Sequence, residues 1–223
     1  MKCVFLPRHG RGHRFTPSEV NYRANIWALK SVGVKWLISV SAVGSMREVI
    51  VPGELVMVDQ FIDRTRMRPC TFFEDGVVGH VMFSDPVCEI LRGALLEAAR
   101  AEGIVHHDGG TYVCIEGPQF STRAESRWFA DQGFRLINMT GYPEAVLARE
   151  LEMCYAAIAL VTDLDAGIES GAGVRAVDVF AEFERNLGPF KQLVHEAIDG
   201  VPAERDCEHC LAHQGVELPF DLP

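Results

Sequence analysis

The run from Tyr155 to Val161 is apolar at every position and ends abruptly in Thr162, Asp163 and Asp165. A strand with no polar face must be covered on both sides, which places it inside a parallel sheet with helices above and below. The residues before it fit the same frame. Arg135 to Asn138 reads as a short strand and Met139-Thr140-Gly141 breaks it. Tyr142 to Met153 is rich in helix formers, with Pro143 in the first turn, where a missing N–H is tolerated. Strand, loop, helix and strand in this order are the unit of an α/β protein. Ligands of open α/β sheets bind at the carboxyl edge of the strands, so two carboxylates set there mark a candidate site. Burying them is unfavourable unless something pairs with them.

The rest of the chain repeats this logic. Lys2 to Leu6 reads as a strand that delivers Arg8, His9, Arg11 and His13 into a loop among Gly10 and Gly12. Glycine lets a backbone approach a ligand and arginine offers a fork of donors to phosphate, so this is either an anion site or a solvated basic turn. Ser18 to Lys30 reads as a helix with Val20, Ala24, Trp27 and Ala28 on its apolar face. Val34 to Val40 is a second buried strand, ending in Ser41-Ala42-Val43-Gly44-Ser45, a turn of small residues whose N–H groups suit an oxyanion or phosphate. Neither a dinucleotide fingerprint nor a P-loop is present. Glu54 to Val58 is a strand running into Asp59 to Thr65, and Arg66 to Gly79 is a loop. His80 precedes a helix from about Asp85 to Glu102. Thr111 to Ile115 is a strand, and Thr122 with Glu125 has the spacing of a capping box opening the next helix. Val174 to Ile198 is mostly helical. Polar residues thus gather after several strands, which predicts a single α/β domain over residues 1–200, with a mostly parallel or mixed central sheet flanked by helices and one composite pocket. Residues 201–223 form a peripheral tail.

Composition narrows the partners. A net charge of −10 argues against a nucleic acid, which would want a basic face. No run approaches the roughly 18 apolar residues of a membrane span. The opening MKCVFLPRHG turns polar too soon for a signal peptide, so the cytoplasm is the expected location. Of seven cysteines, Cys3, Cys70, Cys88, Cys114 and Cys154 stand singly and read as small buried hydrophobes in a reducing compartment. Cys207 and Cys210 form a C-x-x-C, half of a four-cysteine zinc site, with His209 and His213 as further ligand candidates. A metal clip, a local disulfide and plain tail thiols all remain open for this pair, and no metal is assigned.

The post-strand segments also carry a resemblance. RHGRGH (8–13), VNYRANIWALK (20–30), SAVGS (41–45), DQFIDRT (59–65), IEGPQFSTRAES (115–126), NMTGYPEAVLARE (138–150) and VTDLD (161–165) resemble, in matching order, the trimeric purine nucleoside phosphorylases, and most of all their methylthioadenosine phosphorylase branch. The resemblance spans residues 3 to about 200. It implies a nucleoside phosphorylase-like fold, a homotrimer, and no cofactor, inorganic phosphate being a co-substrate. Arg8, His9, Ser41, Ala42 and Thr140 match phosphate-binding positions. Met139 matches the methionine under the ribose, and Phe120 with Ser121 the wall beside the base. His80 matches a residue reaching a neighbouring subunit's site. Val174, Val179 and Phe180 fall on the helix that covers the 5′ end. Asp163 and Asp165 match the acidic pair facing the purine.

The activity so implied is phosphate-dependent cleavage of S-methyl-5′-thioadenosine to adenine and 5-methylthioribose 1-phosphate. Asp163 is expected to protonate N7 of the leaving base, and Asp165 to take the 6-amino group or support Asp163. A carboxylate accepts from a 6-amino group, whereas a 6-oxo purine would prefer an amide, so the pair favours adenine-type bases. Two alternatives accompany this: a phosphorylase of 6-oxopurine nucleosides or methylthioinosine, and a truncated, inactive purine-binding relative. The last arises because the family opens with a strand and Gly-rich phosphate loop, whereas this sequence opens at the strand leading into RHG. Loss of that loop is expected to weaken folding and catalysis.

Overall fold

The computed structural model describes residues 2–168, 173–205, 207–213 and 222–223, with the side chain of His209 left aside. Strands β1 (Trp36–Ser45), β2 (Leu55–Met57), β3 (Gln60–Arg64), β4 (His106–Asp108), β5 (Thr111–Ile115), β6 (Leu136–Asn138) and β7 (Cys154–Leu164) form one sheet in the order β3-β5-β6-β1-β7-β2-β4. Helices α1 (Tyr22–Ser31), α2 (Glu89–Ala101), α3 (Arg123–Asp131), α4 (Gly141–Glu150) and α5 (Ala176–Gly200) surround it, followed by a 3-10 turn at Glu208–Cys210. The sheet is mixed. β1 runs parallel to β7, but β2 pairs antiparallel with β7 and β6 antiparallel with β1.

The apolar run of β7 organises both layers through its period of two. Tyr155, Ala157, Ala159 and Val161 pack with Tyr22, Ile26 and Leu29 of α1 and with Ala145, Leu147 and Ala148 of α4. Cys154, Ala156, Ile158 and Leu160 point the other way, onto Leu91 and Leu95 of α2 and Phe190, Leu193 and Ala197 of α5. With both faces covered, β7 ends at the pocket edge as the sequence implied.

Several elements differ from the sequence reading. Residues 2–6 are not a strand: no neighbouring strand pairs them, and Val4, Phe5 and Leu6 stay exposed. Helix α1 begins at Tyr22 because Asn21 caps it, its side chain accepting from the Ala24 amide at 3.1 Å. Its buried stripe is therefore Tyr22, Ile26 and Leu29, while Ala24, Trp27 and Ala28 face outward. Ser41 to Ser45 are not a turn but the second half of β1, with a register shift between Val43 and Gly44. Helix α2 starts at Glu89, behind Cys88 at its N-cap. Thr122 and Glu125 do form a capping box at the start of α3.

The cysteines also divide differently. Cys3 and Cys70 are exposed, whereas Cys88, Cys114, Cys154, Cys207 and Cys210 are buried. The described part of the tail is not peripheral, since Val201, Cys207 and Cys210 belong to the core beneath α2 and α5. His213 is no partner of the C-x-x-C sulfurs: its Nε2 lies 2.7 Å from the carbonyl of Glu150. His209, the other ligand candidate, lies outside the described side chains.

Candidate active site

Segments far apart in sequence meet around a cleft of about 510 Å³ at the carboxyl ends of β1 and β7, a volume suited to a small molecule. Arg8, His9, Ser41, Ala42, Phe120, Ser121, Met139, Thr140, Asp163, Asp165, Val179 and Phe180 all line it. Val174 does not. Helix α5 starts at Ala176, so its pocket face is Ala176, Val179, Phe180 and Phe183 at helical spacing. His80 is exposed and lies outside this chain's own lining.

The acidic end is held by the edge of the sheet. Thr162 Oγ1 stands 2.9 Å from Asp163 Oδ2 and 3.2 Å from the carbonyl of Val43, and its single hydrogen is donated to one of the two at a time. Burial, with the neighbouring charge of Asp165, pushes the Asp163 carboxyl up from its ordinary 3.8 to about 6, against the pull of the Thr162 bond. Asp165 is 3% exposed. One of its oxygens is 3.4 Å from Ser121 Oγ, while Oδ2 is buried with no partner among the described residues. Gly44 makes room for both, because a Cβ there would stand 2.9 Å from Asp163 Oδ1 and 3.4 Å from the Cβ of Asp165. A carboxyl able to hold a proton thus sits beside a second one whose Oδ2 lacks a donor among the described residues.

The opposite end is a cradle of donors. The guanidinium of Arg8 does not fork onto the cleft as the sequence suggested. Its Nε and Nη2 grip Glu144 at 3.0 and 3.2 Å, Nη2 also reaches Ser39 Oγ at 2.7 Å, and Nη1 donates to the carbonyl of Val40 at 2.8 Å. Of five guanidinium hydrogens, these bonds leave one on Nη1. Arg8 contributes a fixed positive charge and one donor. His9 Nδ1 is 2.8 Å from the carbonyl of Phe15. A carbonyl only accepts, so the proton is on Nδ1 and Nε2 is left as an acceptor in the neutral ring. Burial holds the His9 pKa below its ordinary 6.5. Asn138 donates to the carbonyl of Ala42 and accepts from the backbone amide and hydroxyl of Thr140 at 2.8 and 3.0 Å. Pairing of β6 with β1 is confined to Gly44 and Ser45, so Val40 and Ala42 turn their peptide groups to Arg8 and Asn138 instead. A strand residue's N–H points the same way as its C=O, which directs the Ala42 amide at the cleft.

Three residues that shape this site had no signal in the sequence pattern. Glu144 is the buried partner of Arg8 and also accepts from Ser39 Oγ at 2.5 Å and Tyr155 OH at 3.2 Å. Asn138 stands at the end of an apolar run, and its Asx turn onto the Thr140 amide is visible only in the fold. Arg68 comes from the irregular loop after β3. It is 8% exposed, and it donates to the carbonyls of Met139 at 2.6 Å, Tyr142 at 2.9 Å and Glu116 at 2.8 Å. It thereby ties the turn after β6 to the loop after β5, the two walls that carry Met139 and Phe120.

The chain is similar to known proteins over most of its length. The S-methyl-5′-thioadenosine phosphorylase of Mycolicibacterium smegmatis is 64% identical over 222 residues, covering 100% of this chain and 83% of that protein. The purine nucleoside phosphorylase of Streptomyces coelicolor is 48% identical, again over 100% of this chain and 83% of its own length. A crystal structure of methylthioadenosine phosphorylase from an antarctic soil metagenomic library superposes with a TM-score of 0.87 at 45% identity, covering 93% of this chain and 74% of that one. The description "Phosphorylase superfamily" matches residues 1–198, the whole of the sheet and all the pocket walls, and the chain belongs to that family.

Proposed function

We propose that this chain cleaves the N-glycosidic bond of S-methyl-5′-thioadenosine with inorganic phosphate, giving adenine and 5-methylthioribose 1-phosphate. The observation that carries this reading is the pair Asp163 and Asp165 at one end of an apolar cleft whose other end is a donor cradle. As the C1′–N9 bond breaks, its electron pair moves into the purine and positive charge grows on the ribose. Phosphate, held by the Ala42 amide, His9, the charge and remaining donor of Arg8, and a Thr140 hydroxyl that turns from Asn138 to meet it, sits against that cation and supplies the oxygen that bonds to C1′. His9 Nε2 accepts the proton that a phosphate hydroxyl carries. The base takes up one proton, and phosphate gives one up.

Asp163, raised to about 6, is the group suited to donate that proton at N7. The unpartnered Oδ2 of Asp165 calls for a donor, and a 6-amino group is one. A 6-oxo group is not. Met139 and Phe120 flank the ribose and base, while Val179, Phe180 and Phe183 offer an apolar lining to a methylthio group. The reading carries with it a cytoplasmic homotrimer in which His80 reaches a neighbour's site, and chemistry that needs no cofactor. Among the described residues no helix is long and apolar enough to cross a membrane.

A 6-oxopurine activity is the second reading, favoured by the likeness to the Streptomyces coelicolor protein. Release of free base from methylthioadenosine and from inosine, with and without phosphate, separates the two. Phosphate-dependent adenine release supports the first reading. Hypoxanthine release from inosine alone transfers the assignment to the second, and binding without turnover to neither.

A further inference from the structure

At the other end of β7, four cysteines from distant parts of the sequence come together. Cys88 is the N-cap of α2, Cys154 is the first residue of β7, and Cys207 and Cys210 bracket the 3-10 turn of the tail. All four are buried, and their sulfurs lie within 4.8 Å of one another. The backbone holds them there: the Cys88 amide donates to the carbonyl of Tyr155 at 2.8 Å, the Cys154 amide to Lys35 at 2.9 Å, and the Cys210 amide to Cys207 at 3.2 Å, closing the C-x-x-C turn.

We propose that Cys88, Cys154, Cys207 and Cys210 bind one Zn²⁺ ion as a tetrahedral four-thiolate site that staples the tail to the base of the sheet. Zinc–sulfur bonds of about 2.3 Å place the four sulfurs of a tetrahedron about 3.8 Å apart, within the observed spread. Disulfides would explain the cluster less well. A disulfide brings sulfurs together two by two, at about 2.0 Å, and gives no reason for all four to be mutual neighbours; Cys154 and Cys207 are 2.9 Å apart. An all-sulfur tetrahedral set selects zinc or iron over magnesium and calcium, and zinc is the ion of closed structural sites. The N-terminal end of α2 at Cys88 adds partial positive charge that favours thiolate.

The site is structural. Cys154 and Asp163 are nine residues apart on one strand, about 30 Å at 3.3 Å per residue, so the ion cannot touch the reacting atoms. It joins α2, β7 and the tail, three segments whose described residues pack together here as one apolar cluster. Its loss should lower the melting temperature and leave turnover of the folded protein alone.

The test uses the full chain purified anaerobically with a reductant. Elemental analysis is expected to give about one zinc per chain, released on titration of the thiols with an organomercurial. Exchange with Co²⁺ should yield the intense visible bands of a tetrahedral tetrathiolate, a readout that needs no variant to fold. Cys207→Ser with Cys210→Ser should abolish metal uptake and lower the melting temperature, with kcat at low temperature within about twofold of wild type. Protein that is metal-free and takes up neither Zn²⁺ nor Co²⁺ under these conditions would overturn the proposal. So would recovery of the four sulfurs as two disulfides from anaerobic preparations.

Discussion

Asp163 is held in a state that serves chemistry at the expense of stability. A carboxyl whose pKa is raised from 3.8 to about 6 on folding binds its proton more tightly in the folded state. Its favourable contribution is therefore complete below about pH 4 and is lost as pH rises through 6. Two pKa units correspond to about 3 kcal/mol, and partial solvent exposure reduces this to about 1–2 kcal/mol. Asp163→Asn should accordingly melt higher than wild type at pH 7 and lose that advantage at pH 4, as followed by calorimetry across this range. The same variant has no proton to give the leaving base, so kcat for methylthioadenosine should fall by about 10²-fold or more, and preference should shift toward 6-oxo substrates. A variant that melts lower at pH 7 would show that Asp163 is stabilised by pairing instead.

Arg8 and Arg68 show how two arginines in one site can do different work. Both are inside the protein, but Arg8 is neutralised by Glu144, whereas Arg68 spends its donors mainly on the carbonyls of two pocket walls. Removing Glu144 leaves a buried, unpaired cation, so Glu144→Gln should destabilise the fold by about 3–5 kcal/mol in denaturant titrations. Arg68→Met should instead act on KM as well as stability, because Met139 and the loop before Phe120 lose their common anchor. An unchanged KM in Arg68→Met would mean that the walls hold themselves.

At the scale of elements, what the sequence revealed follows from how local each signal is. β5 and β7 were legible because an apolar run of four or more residues has few other places to go, and the start of α3 because a capping box is written in four consecutive residues. The missed elements depend on distant partners. Lys2 to Leu6 has strand-like residues but no strand to pair with, and β4, His106–Asp108, has polar residues that pair with β2 regardless. The buried stripe of α1 was misassigned because two sets at helical spacing, Val20-Ala24-Trp27-Ala28 and Tyr22-Ile26-Leu29, both carry apolar residues, and only the packing of the helix on α4 and β7 selects the second. Arg68 was invisible for a similar reason: its importance comes from a loop folding back over the sheet. The continuation of β1 through Ser41 to Ser45 has a functional reading as well. Small residues in a central strand leave room at its edge, and Gly44 sits where the register shifts. Gly44→Ala places a methyl 2.9 Å from Asp163 Oδ1 and 3.1 Å from Ile137 Cγ2. It should displace the acid and reduce kcat/KM by about tenfold or more, while stability falls by only about 1 kcal/mol. Equal losses in both would mean that the strand, not the carboxyl, gives way.

For the whole molecule, the two ends of β7 divide the labour. One end presents the acidic pair to the cleft and the other is tied by four cysteines to α2 and the tail, so ligand binding and tail anchoring draw on the same central strand from opposite sides. Binding can therefore be read as global stability without any turnover. Adenine at about one hundred times its Kd should add about 2.7 kcal/mol to the unfolding free energy, equivalent to a rise of about 5–10 °C in Tm for a chain of this size. Asp165→Asn should remove much of that shift, because the amide cannot offer the 6-amino group the charged acceptor that the lone Oδ2 now provides. Hypoxanthine, which lacks the donor, should shift wild type less than adenine does. If hypoxanthine stabilises the protein as well as adenine, the orphaned oxygen does not read the 6-position, and the base preference must come from Asp163 alone.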